Sequence, residues 1–485
     1  MMPYTLTARA RRMVSASLAA ACLTLATACD TSQLLEVEDP DVATPGSLTT
    51  PQALPVLRAA AIADFQSAFN GNNNTTAALQ NEGIVTYGGM FADELLNAET
   101  FPTRIEIDQR GGAAGIALDN APLRDNFRHL QRARATADLA ADAFRTHSPD
   151  DVGLAEVLNL SAFTLVLLAE HYCSGVPLSR LTASGAPEYG QPLTTQELLQ
   201  RAIEKFDSAA TIATAAGTAT GASAQLNLAK VGKARALLNL NQPTQAVTAL
   251  AGVPAAFEYR IFHSATTARQ NNGLFAYIYL GRRWTISDRE GVNGLPFRSE
   301  GEQRSATGAV VTPGDTRVRW ERGTGGLAFG FDGTTSLFLP RSHSGRDSSI
   351  VLASGVEALL IEAEAALRAG DGASMIAKLN AARAQRGVAA TLTDPGAEAA
   401  RVDLLFKERA FALFLTGHRL GDLRRLVRQY ARPQGSVFPT GPYGFDPATP
   451  RGANAGGAYG TEVNLPVPSD EENNPNFTGC LDRNA

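Results

Sequence analysis

The chain has 485 residues, of which 44% are hydrophobic and 19% are charged, so it can build a sizeable core and is not a disordered chain. Its formal net charge of −5 argues against a nucleic-acid-binding protein, since that class usually carries a basic balance. Four cysteines are too few for a disulfide-dense scaffold, and six histidines argue against a multi-metal protein. We therefore expect no metal site and no cofactor.

Residues 1–28 have the pattern of a secretory signal peptide. The basic N-terminal segment carries arginines and no acid, and the apolar run at 13–25 is shorter than the ~20 residues that span a bilayer. Small residues then lead into Cys29, as in a bacterial lipobox. The sequence predicts cleavage before Cys29, lipidation of its thiol and a lipidated tether over 29–50, so acyl chains would hold the protein at a membrane. The alternative is an ordinary signal peptide followed by an incidental cysteine.

After cleavage two cysteines remain, Cys173 and Cys480. An exported protein enters an oxidising compartment, where these two thiols can pair. A disulfide between them would tie the C-terminal tail to the body of the protein. Two free, semi-buried thiols are the alternative, because the sequence does not give the distance between the two Cα atoms.

Helical periodicity dominates the region from 51 to 485, for which we predict one mostly α-helical domain. Thr194 with Glu197, and Ser354 with Glu357, form two capping-box signatures, each followed by an amphipathic helix and a partner helix. These two helical hairpins resemble tetratricopeptide repeats. Helices are predicted at about 52–70, 121–146, 151–172, 224–240, 374–386, 397–416 and 418–430, and two more directly behind the two capping boxes.

Two regions depart from this helical pattern. Residues 255–350 carry aromatic side chains in short alternating pieces between glycine-rich breaks, which predicts small strands and long loops. Long ordered loops usually carry function. The tail at 431–485 is rich in proline, glycine and asparagine and is predicted to wrap the surface as coil.

Five stretches of the chain carry recognisable motifs in a fixed order. They are the lipobox at Cys29, Leu168–Tyr172 with Gly175–Leu178, Glu357–Gly370 with Lys378–Gly387, Glu408–Arg409 with Gly417–Arg425, and Asn464–Pro468 with Asn474–Pro475. Together they run along nearly the whole chain and resemble the SusD/RagB family of nutrient-binding outer-membrane lipoproteins.

The resemblance implies a SusD-like fold, in which tetratricopeptide-like hairpins pack against a loop-rich ligand-binding subregion with a few short strands. It also implies a lipid-anchored protein at the surface of the cell outer membrane. Such a protein binds an oligosaccharide or peptide nutrient and acts as the lid of a SusC-type, TonB-dependent transporter. It performs no covalent chemistry, so we expect a binding protein and not an enzyme.

The densest charge cluster lies near the C-terminal helices. Its members are Glu408, Arg409, Arg419, Asp422 and Arg424. Arg409 falls within an apolar stripe, where a charge must be paired to be tolerated. We interpret the cluster as a structural ion network that fixes two helices, with a catalytic or anion site as the alternative.

Asp93 and Glu94 are the carboxylates that come closest to a catalytic pair. Glycoside hydrolysis needs two carboxyl groups about 5 to 10 Å apart, but adjacent residues point away from each other. We interpret them as a surface pair near a binding loop and predict no catalytic residue. A surface glycoside hydrolase and a helical envelope scaffold without a small ligand remain alternatives to the nutrient-binding protein.

Aromatic side chains in the loop regions are the candidate ligand contacts, because the C–H face of a sugar ring packs on an aromatic ring. The candidates are Tyr87, Phe91, Phe101, Tyr279, Trp284 and Trp320. They predict an aromatic-lined cleft between 80–105 and 270–340. The alternative is that these rings belong to the core beneath the loops.

Overall fold

A computed structural model describes four stretches of the chain. They are 50–74, 80–182, 186–444 and 456–485. The predicted signal peptide, Cys29 and nearly all of the predicted tether lie outside the described residues. Residues Pro51–Ala485 pack together as one unit.

Helices build most of this unit, which confirms the predicted mostly α-helical fold class. In chain order they are α1 (Leu54–Asn70), α2 (Ile84–Phe91), α3 (Pro102–Asp108), α4 (Ala121–His147), α5 (Val152–His171), α6 (Thr195–Ala215), α7 (Ala222–Asn239), α8 (Pro243–Ala249), α9 (Gly273–Phe275), α10 (Phe297–Glu300), α11 (Gly355–Arg368), α12 (Gly372–Gln385), α13 (Glu398–Ala412) and α14 (Arg419–Tyr430). The longer helices lie within a few residues of the predicted ones, whereas α2 and α3 were not predicted.

Only one of the two predicted capping boxes forms completely. At α6 the Thr194 hydroxyl accepts from the Glu197 amide at 3.2 Å, and the Glu197 carboxylate accepts from the Thr194 amide at 2.7 Å. At α11 the Ser354 hydroxyl accepts from the Glu357 amide at 3.2 Å. The Glu357 carboxylate, however, is buried 3.0 Å from the His418 ring, so it does not return to the helix start.

Helix α5 is the central element of the helical body. It packs against α4, α6 and α7, and almost all of its side chains are buried. Its length and composition would also suit a membrane span, but 94% of its apolar window is buried inside the protein. Helix α5 is therefore apolar on several sides because its neighbours enclose it.

Gly232 allows α7 to approach α5 and α6 closely. A Cβ atom at this position would lie 2.3 Å from the ring of Phe206 on α6 and 2.9 Å from the ring of Phe163 on α5. These two rings meet edge to face with their centroids 5.1 Å apart. Any side chain at Gly232 would therefore push apart the elements of one predicted hairpin.

Short strands occupy the loop-rich insertion, the turns after α5 and the segment between α2 and α3. They are β1 (Leu95–Asn97), β2 (Val176–Pro177), β3 (Arg180–Leu181), β4 (Pro187–Glu188), β5 (Pro192–Leu193), β6 (Glu258–Ile261), β7 (Trp284–Ile286), β8 (Gly301–Arg304), β9 (Val310–Thr312), β10 (Asp315–Arg322), β11 (Phe338–Pro340) and β12 (Ile350–Ser354). One sheet has the order β11-β10-β8-β9, with β10 parallel to β8 and antiparallel to β11. The remaining pairs are β1–β7, β6–β12, β2–β5 and β3–β4.

A hydrophobic cluster attaches the strands to the helical body. Ile286, Val318 and Phe338 come from β7, β10 and β11, and they pack with Phe411 of α13. Phe297 of α10 lies with its ring centroid 5.3 Å from that of Phe411. The insertion is thus anchored on α13, which leaves its outer loops available at the surface.

The C-terminal tail contributes to the core as well as to the surface. In its described part it is mostly coil, as predicted, but Leu465 is fully buried. The Leu465 amide donates to the His171 carbonyl at 2.8 Å, and its carbonyl accepts from the Cys173 amide at 2.9 Å. Cys173 and Cys480 form a disulfide with their Cα atoms 5.9 Å apart. The tail is therefore bound across the C-terminal end of α5.

Candidate functional site

The predicted charge cluster divides into several buried ion pairs. Arg409 donates to both carboxylate oxygens of Asp422, at 2.8 and 2.9 Å, and Arg425 pairs with the same carboxylate at 2.7 Å. Burial alone would raise the pKa of Asp422, but the two arginines outweigh burial and hold that pKa well below its usual range. These contacts join α13 to α14, as the structural interpretation requires.

Two other members of the cluster pair with residues outside α13 and α14. Glu408 accepts from Arg317 at 2.6 Å and from Arg383 at 2.8 Å, so it ties β10 and α12 to α13. Arg419 forms two bonds with Asp93, at 2.6 and 2.9 Å. All these groups are buried, which fits a structural role better than a catalytic one.

Arg424 does not take part in the ion network, contrary to the prediction. One of its terminal nitrogens donates to the carbonyl oxygens of Ala169, Glu170 and Tyr172, at 2.9, 2.8 and 3.1 Å. Carbonyl groups at a helix end lack partners within the helix, so they bind the guanidinium in place of a carboxylate. Burial and then the nearby Arg428 lower the pKa of Arg424 to about 9.

Asp93 and Glu94 do not form a surface pair, so that interpretation is wrong. Both are buried, with 1% of each residue exposed. Asp93 pairs with Arg419, and Glu94 accepts a bond from the Leu415 amide at 2.9 Å. Neither carboxyl group is placed to meet a substrate at the surface.

Three of the six candidate aromatic residues are core residues, and their prediction as ligand contacts is wrong. Trp284 and Phe91 are fully buried and Tyr87 is 1% exposed. Trp284 lies in β7 opposite Asn97 of β1, where the strand pairing turns its ring inward. Tyr87 and Phe91 belong to α2, and Phe91 meets the ring of Phe438 edge to face.

Trp320 and Tyr279 are half-buried, and both direct a polar atom inward. The Trp320 indole nitrogen donates to the Arg298 carbonyl at 3.0 Å, and its ring meets that of Phe338 edge to face. The Tyr279 hydroxyl donates to the Pro340 carbonyl at 3.2 Å. These contacts fix both rings within the insertion, and the role of the two residues as ligand contacts stays a prediction.

Phe101 is the candidate that lies open to solvent, and it has an aromatic partner. Its side chain is 43% exposed, and its ring lies nearly parallel to that of Phe331, which is 50% exposed. The ring centroids are 6.0 Å apart with an interplanar angle of 21°. We call this pair the aromatic platform. It joins the two regions between which an aromatic cleft was predicted, although Phe331 was not among the candidate ligand contacts.

Three loops meet to form the aromatic platform. The Ala98 amide donates to the Arg283 carbonyl at 2.8 Å, and the Phe331 amide donates to the Arg282 carbonyl at 2.8 Å. Gly330 makes the close approach possible, since a Cβ atom there would lie 2.4 Å from the Ala98 carbonyl oxygen. Pairing of β1 with β7 brings together the loop after β1 and the loop before β7. Because Gly330 has no side chain, the loop that carries Phe331 can approach both of them.

A cluster of charged residues surrounds the Phe101 ring. The guanidinium carbons of Arg104 and Arg283 each lie 5.6 Å from the centroid of the Phe101 ring. Arg104 donates to the buried Glu82 at 2.7 Å, and it lies 3.1 Å from the buried Glu99. Burial raises the pKa of Glu99 to about 7, which the two arginines oppose. The buried carboxylates thus hold two guanidinium groups over the Phe101 ring.

A second concave region has a quite different lining. A cavity of about 540 Å³ draws its lining from β6, β8, β10, β12 and the end of α12, together with the segments after β11 and α13. Six arginines line it, and we call it the arginine cavity. They are Arg260, Arg304, Arg317, Arg319, Arg341 and Arg386. This site was not predicted from the sequence, although charged residues at alternate positions of β10 indicate one polar strand face.

The described residues hold no group of three or more His, Cys, Asp or Glu side chains that could bind a metal ion.

Solved structures provide the matches to this chain. No protein-family model matches it, and no curated protein matches it. A SusD-like carbohydrate-binding protein from Bacteroides vulgatus is 16% identical, with a TM-score of 0.60 over 88% of this chain and 97% of that one.

Two further structures agree with the first. A surface glycan-binding protein A from Bacteroides uniformis is 13% identical, with a TM-score of 0.56 over 89% of this chain and 99% of that one. A SusD/RagB family protein from Bacteroides thetaiotaomicron is 13% identical, with a TM-score of 0.52 over 87% and 94%. This chain therefore has the SusD-like fold over most of its length.

Proposed function

We propose that this protein is a member of the SusD/RagB family and binds glycans at the aromatic platform as part of nutrient uptake. The observation that carries the proposal is the exposed, nearly parallel pair of Phe101 and Phe331. The names of the structures with the same fold, a carbohydrate-binding protein and a surface glycan-binding protein, support the choice of ligand.

The chemistry of the aromatic platform suits a sugar ring. The C–H face of a pyranose can pack on the Phe101 and Phe331 rings, and burying this apolar area favours binding. The guanidinium groups of Arg104 and Arg283 lie over the Phe101 ring and can donate hydrogen bonds to the hydroxyls of a sugar that packs against the exposed part of the platform. The platform is held by its loops before a ligand arrives, which reduces the entropy lost on binding.

The alternatives fit the surface less well. A glycoside hydrolase needs two accessible carboxyl groups, whereas Asp93 and Glu94 are buried. A scaffold without a small ligand does not account for two large aromatic side chains stacked in the open, because exposed apolar clusters usually mark a binding site. A peptide ligand could pack on the same rings, but the solved structures with this fold are named as carbohydrate- and glycan-binding proteins.

The cellular role forms the second part of the proposal. We propose that Cys29 carries acyl chains that hold the protein at the outer membrane, with the body exposed at the cell surface. The protein would then deliver its ligand to a SusC-type, TonB-dependent transporter and act as its lid. Crosslinking in the native bacterium, followed by identification of the crosslinked partner, tests this role; a partner that is not a TonB-dependent transporter contradicts it.

The glycan part is tested with the mature protein and an array of neutral oligosaccharides and peptides, followed by titration calorimetry on the best ligand. We expect Phe101→Ala and Phe331→Ala each to weaken glycan binding at least tenfold, or about 1.4 kcal/mol. Phe262→Ala is the matched control, because Phe262 is 74% exposed and lies outside the aromatic platform. Chromatography of the recovered glycan should show no cleavage.

Three results would count against this proposal. The first is a best ligand that is a peptide, and the second is release of shorter sugars from the glycan. The third is unchanged affinity in both platform variants while their melting temperatures match that of the unmodified protein.

A further inference from the structure

The arginine cavity concentrates positive charge in a protein whose formal net charge is −5. Among the residues that the structure describes, no acidic side chain lines it. The carboxylates that balance these arginines lie behind the lining. Their number and sharing decide whether the cavity is electrostatically neutral.

One carboxylate, Glu258, is shared by two of the arginines. It accepts from Arg260 at 2.7 Å and also from Arg386. The Arg260 side chain is 37% exposed and the Arg386 side chain 23% exposed. Two guanidinium groups that reach the cavity are therefore matched by one acid.

A second carboxylate, Glu302, is shared in the same way. It lies opposite Arg319 in the pairing of β8 with β10 and accepts from Arg319 at 3.1 Å and from Arg304 at 2.7 Å. Arg341 has a carboxylate of its own, Glu321, at 2.8 Å. Five cavity arginines thus share three glutamates, which leaves an excess of two positive charges.

The sixth lining arginine does not add to this excess. The Arg317 side chain is 3% exposed and is bonded to both Asp315 and Glu408. Arg383 also bonds to Glu408, so two arginines and two acids balance in this deeper layer. The uncompensated charge lies in the shallower layer, where a ligand can reach it.

Arg319 has the most open guanidinium group of the set. Its side chain is 49% exposed, and within the described parts of the chain its contacts are confined to one bond from Nε. Both terminal nitrogens can therefore donate to a ligand. A guanidinium presents parallel N–H groups that match the two oxygens of a carboxylate or sulfate.

We propose that the arginine cavity binds the acidic groups of an anionic oligosaccharide, carrying carboxylates or sulfates on its sugar rings. This inference rests on the proposed function, because it specifies the charge of the glycan that the protein takes up. The cavity volume of about 540 Å³ lies in the range of roughly 300 to 1,000 Å³ that is usual for small-molecule sites. Ser342, Ser349 and Thr416 add hydroxyls to the lining, and Phe414 adds a ring.

The test compares ligands that differ in charge alone. Titration calorimetry with the mature protein uses an oligogalacturonate and its methyl ester, then a sulfated chondroitin fragment and its desulfated form. We expect an acidic member of at least one pair to bind ten times more tightly than its less charged counterpart. Its affinity should fall as salt is raised, because screening weakens the charge interaction. The two pairs distinguish carboxylate from sulfate recognition.

Variants of the cavity test the assignment in both directions. Arg319→Gln combined with Arg341→Gln should weaken binding of the acidic ligand at least tenfold. Glu321→Gln should strengthen it two- to tenfold, because Arg341 loses its counter-ion. A loss of folding cannot produce such a gain. Arg180→Gln is the matched control, since Arg180 is 68% exposed, pairs with one glutamate and does not line the cavity.

The outcomes separate this inference from the proposed function. Equal affinity for the more charged and the less charged member of both pairs, with binding still lost in Phe101→Ala, overturns the anionic site and leaves glycan binding intact. Binding of a polyglutamate peptide as tight as that of the acidic glycan overturns the choice of a sugar ligand. Failure to bind any glycan, charged or neutral, overturns both proposals.

Discussion

Among single residues, Glu94 shows how far tertiary contacts can change a side chain. Its sequence context suggested a surface carboxylate, but it is 1% exposed and one of its oxygens has no hydrogen-bond partner among the described residues. Burial, with a smaller contribution from Asp93, raises the pKa of Glu94 to about 8 against the opposing bond from the Leu415 amide. The folded protein therefore holds this carboxyl group protonated at neutral pH.

This residue predicts a pH dependence of stability. Because the folded-state pKa is about 8 and the unfolded value is 4.5, the stability that Glu94 contributes is complete below about pH 4.5 and is lost as the pH rises through 8. Glu94→Gln keeps the neutral form at all pH values. Between pH 5 and pH 8 its free energy of unfolding should gain about 2 to 4 kcal/mol relative to the unmodified protein.

Urea unfolding at several pH values measures this difference. Glu472→Gln is the control, because it alters an exposed glutamate and should show no such gain. A constant difference between Glu94→Gln and the unmodified protein from pH 5 to pH 8 would contradict the raised pKa.

At the scale of elements, the C-terminal end of α5 is where distant parts of the chain meet. Arg424 of α14 donates to carbonyl groups at the end of α5, and Leu465 of the tail bonds to the backbone on either side of Tyr172. The disulfide between Cys173 and Cys480 lies at the same end. Two motifs that suggested the family, around Tyr172 and around Leu465, are thus in direct backbone contact.

The disulfide should contribute substantially to stability, because its cysteines are 307 residues apart in sequence and it restricts the unfolded chain. We expect the double variant Cys173→Ser, Cys480→Ser to lose roughly 3 to 5 kcal/mol in free energy of unfolding. Urea unfolding measures the loss. Reducing agent should lower the stability of the unmodified protein by a similar amount and leave the variant unchanged. Equal stability of both proteins under oxidising conditions would show that the backbone contacts of the tail suffice.

Element positions were more predictable than the partners of individual charges. Glu364 and Arg368 have the spacing of a surface pair on α11. In the structure Glu364 is buried and bonds to Arg425 of α14, while Arg368 bonds to the Gln429 carbonyl and to Asn241. Hydrophobic periodicity predicts the helix, whereas packing against other parts of the chain determines the partners of its charged side chains.

For the molecule as a whole, we predict that Cys29 determines cellular location. The full chain expressed in a lipoprotein-processing bacterium should fractionate with the outer membrane and incorporate a labelled fatty acid. Cys29→Ser should lose the label and the membrane association, because stable anchoring requires acyl chains. Cys22→Ser is the control, since Cys22 lies within the apolar segment of the predicted signal peptide. Membrane association of Cys29→Ser equal to that of the unmodified protein would contradict this prediction.

Local patterns in the sequence were enough to predict the helical fold class, the long helices, the complete capping box at Thr194 and the strand-bearing insertion. Those features depend on contacts within a few residues, which hydrophobic spacing and capping residues express directly. The same patterns could not separate Trp284, which is fully buried, from Phe101, which is exposed, because strand pairing and neighbouring loops decide burial.

The aromatic platform and the arginine cavity were decided by tertiary structure alone. Phe101 meets Phe331 across a gap of 230 residues in the chain because β1 pairs with β7 and Gly330 admits a third loop. The arginines of the cavity come from segments between Arg260 and Arg386, and their excess charge appears only when shared carboxylates are counted in space. The sequence determined which elements form, whereas long-range packing determined which side chains face the solvent together.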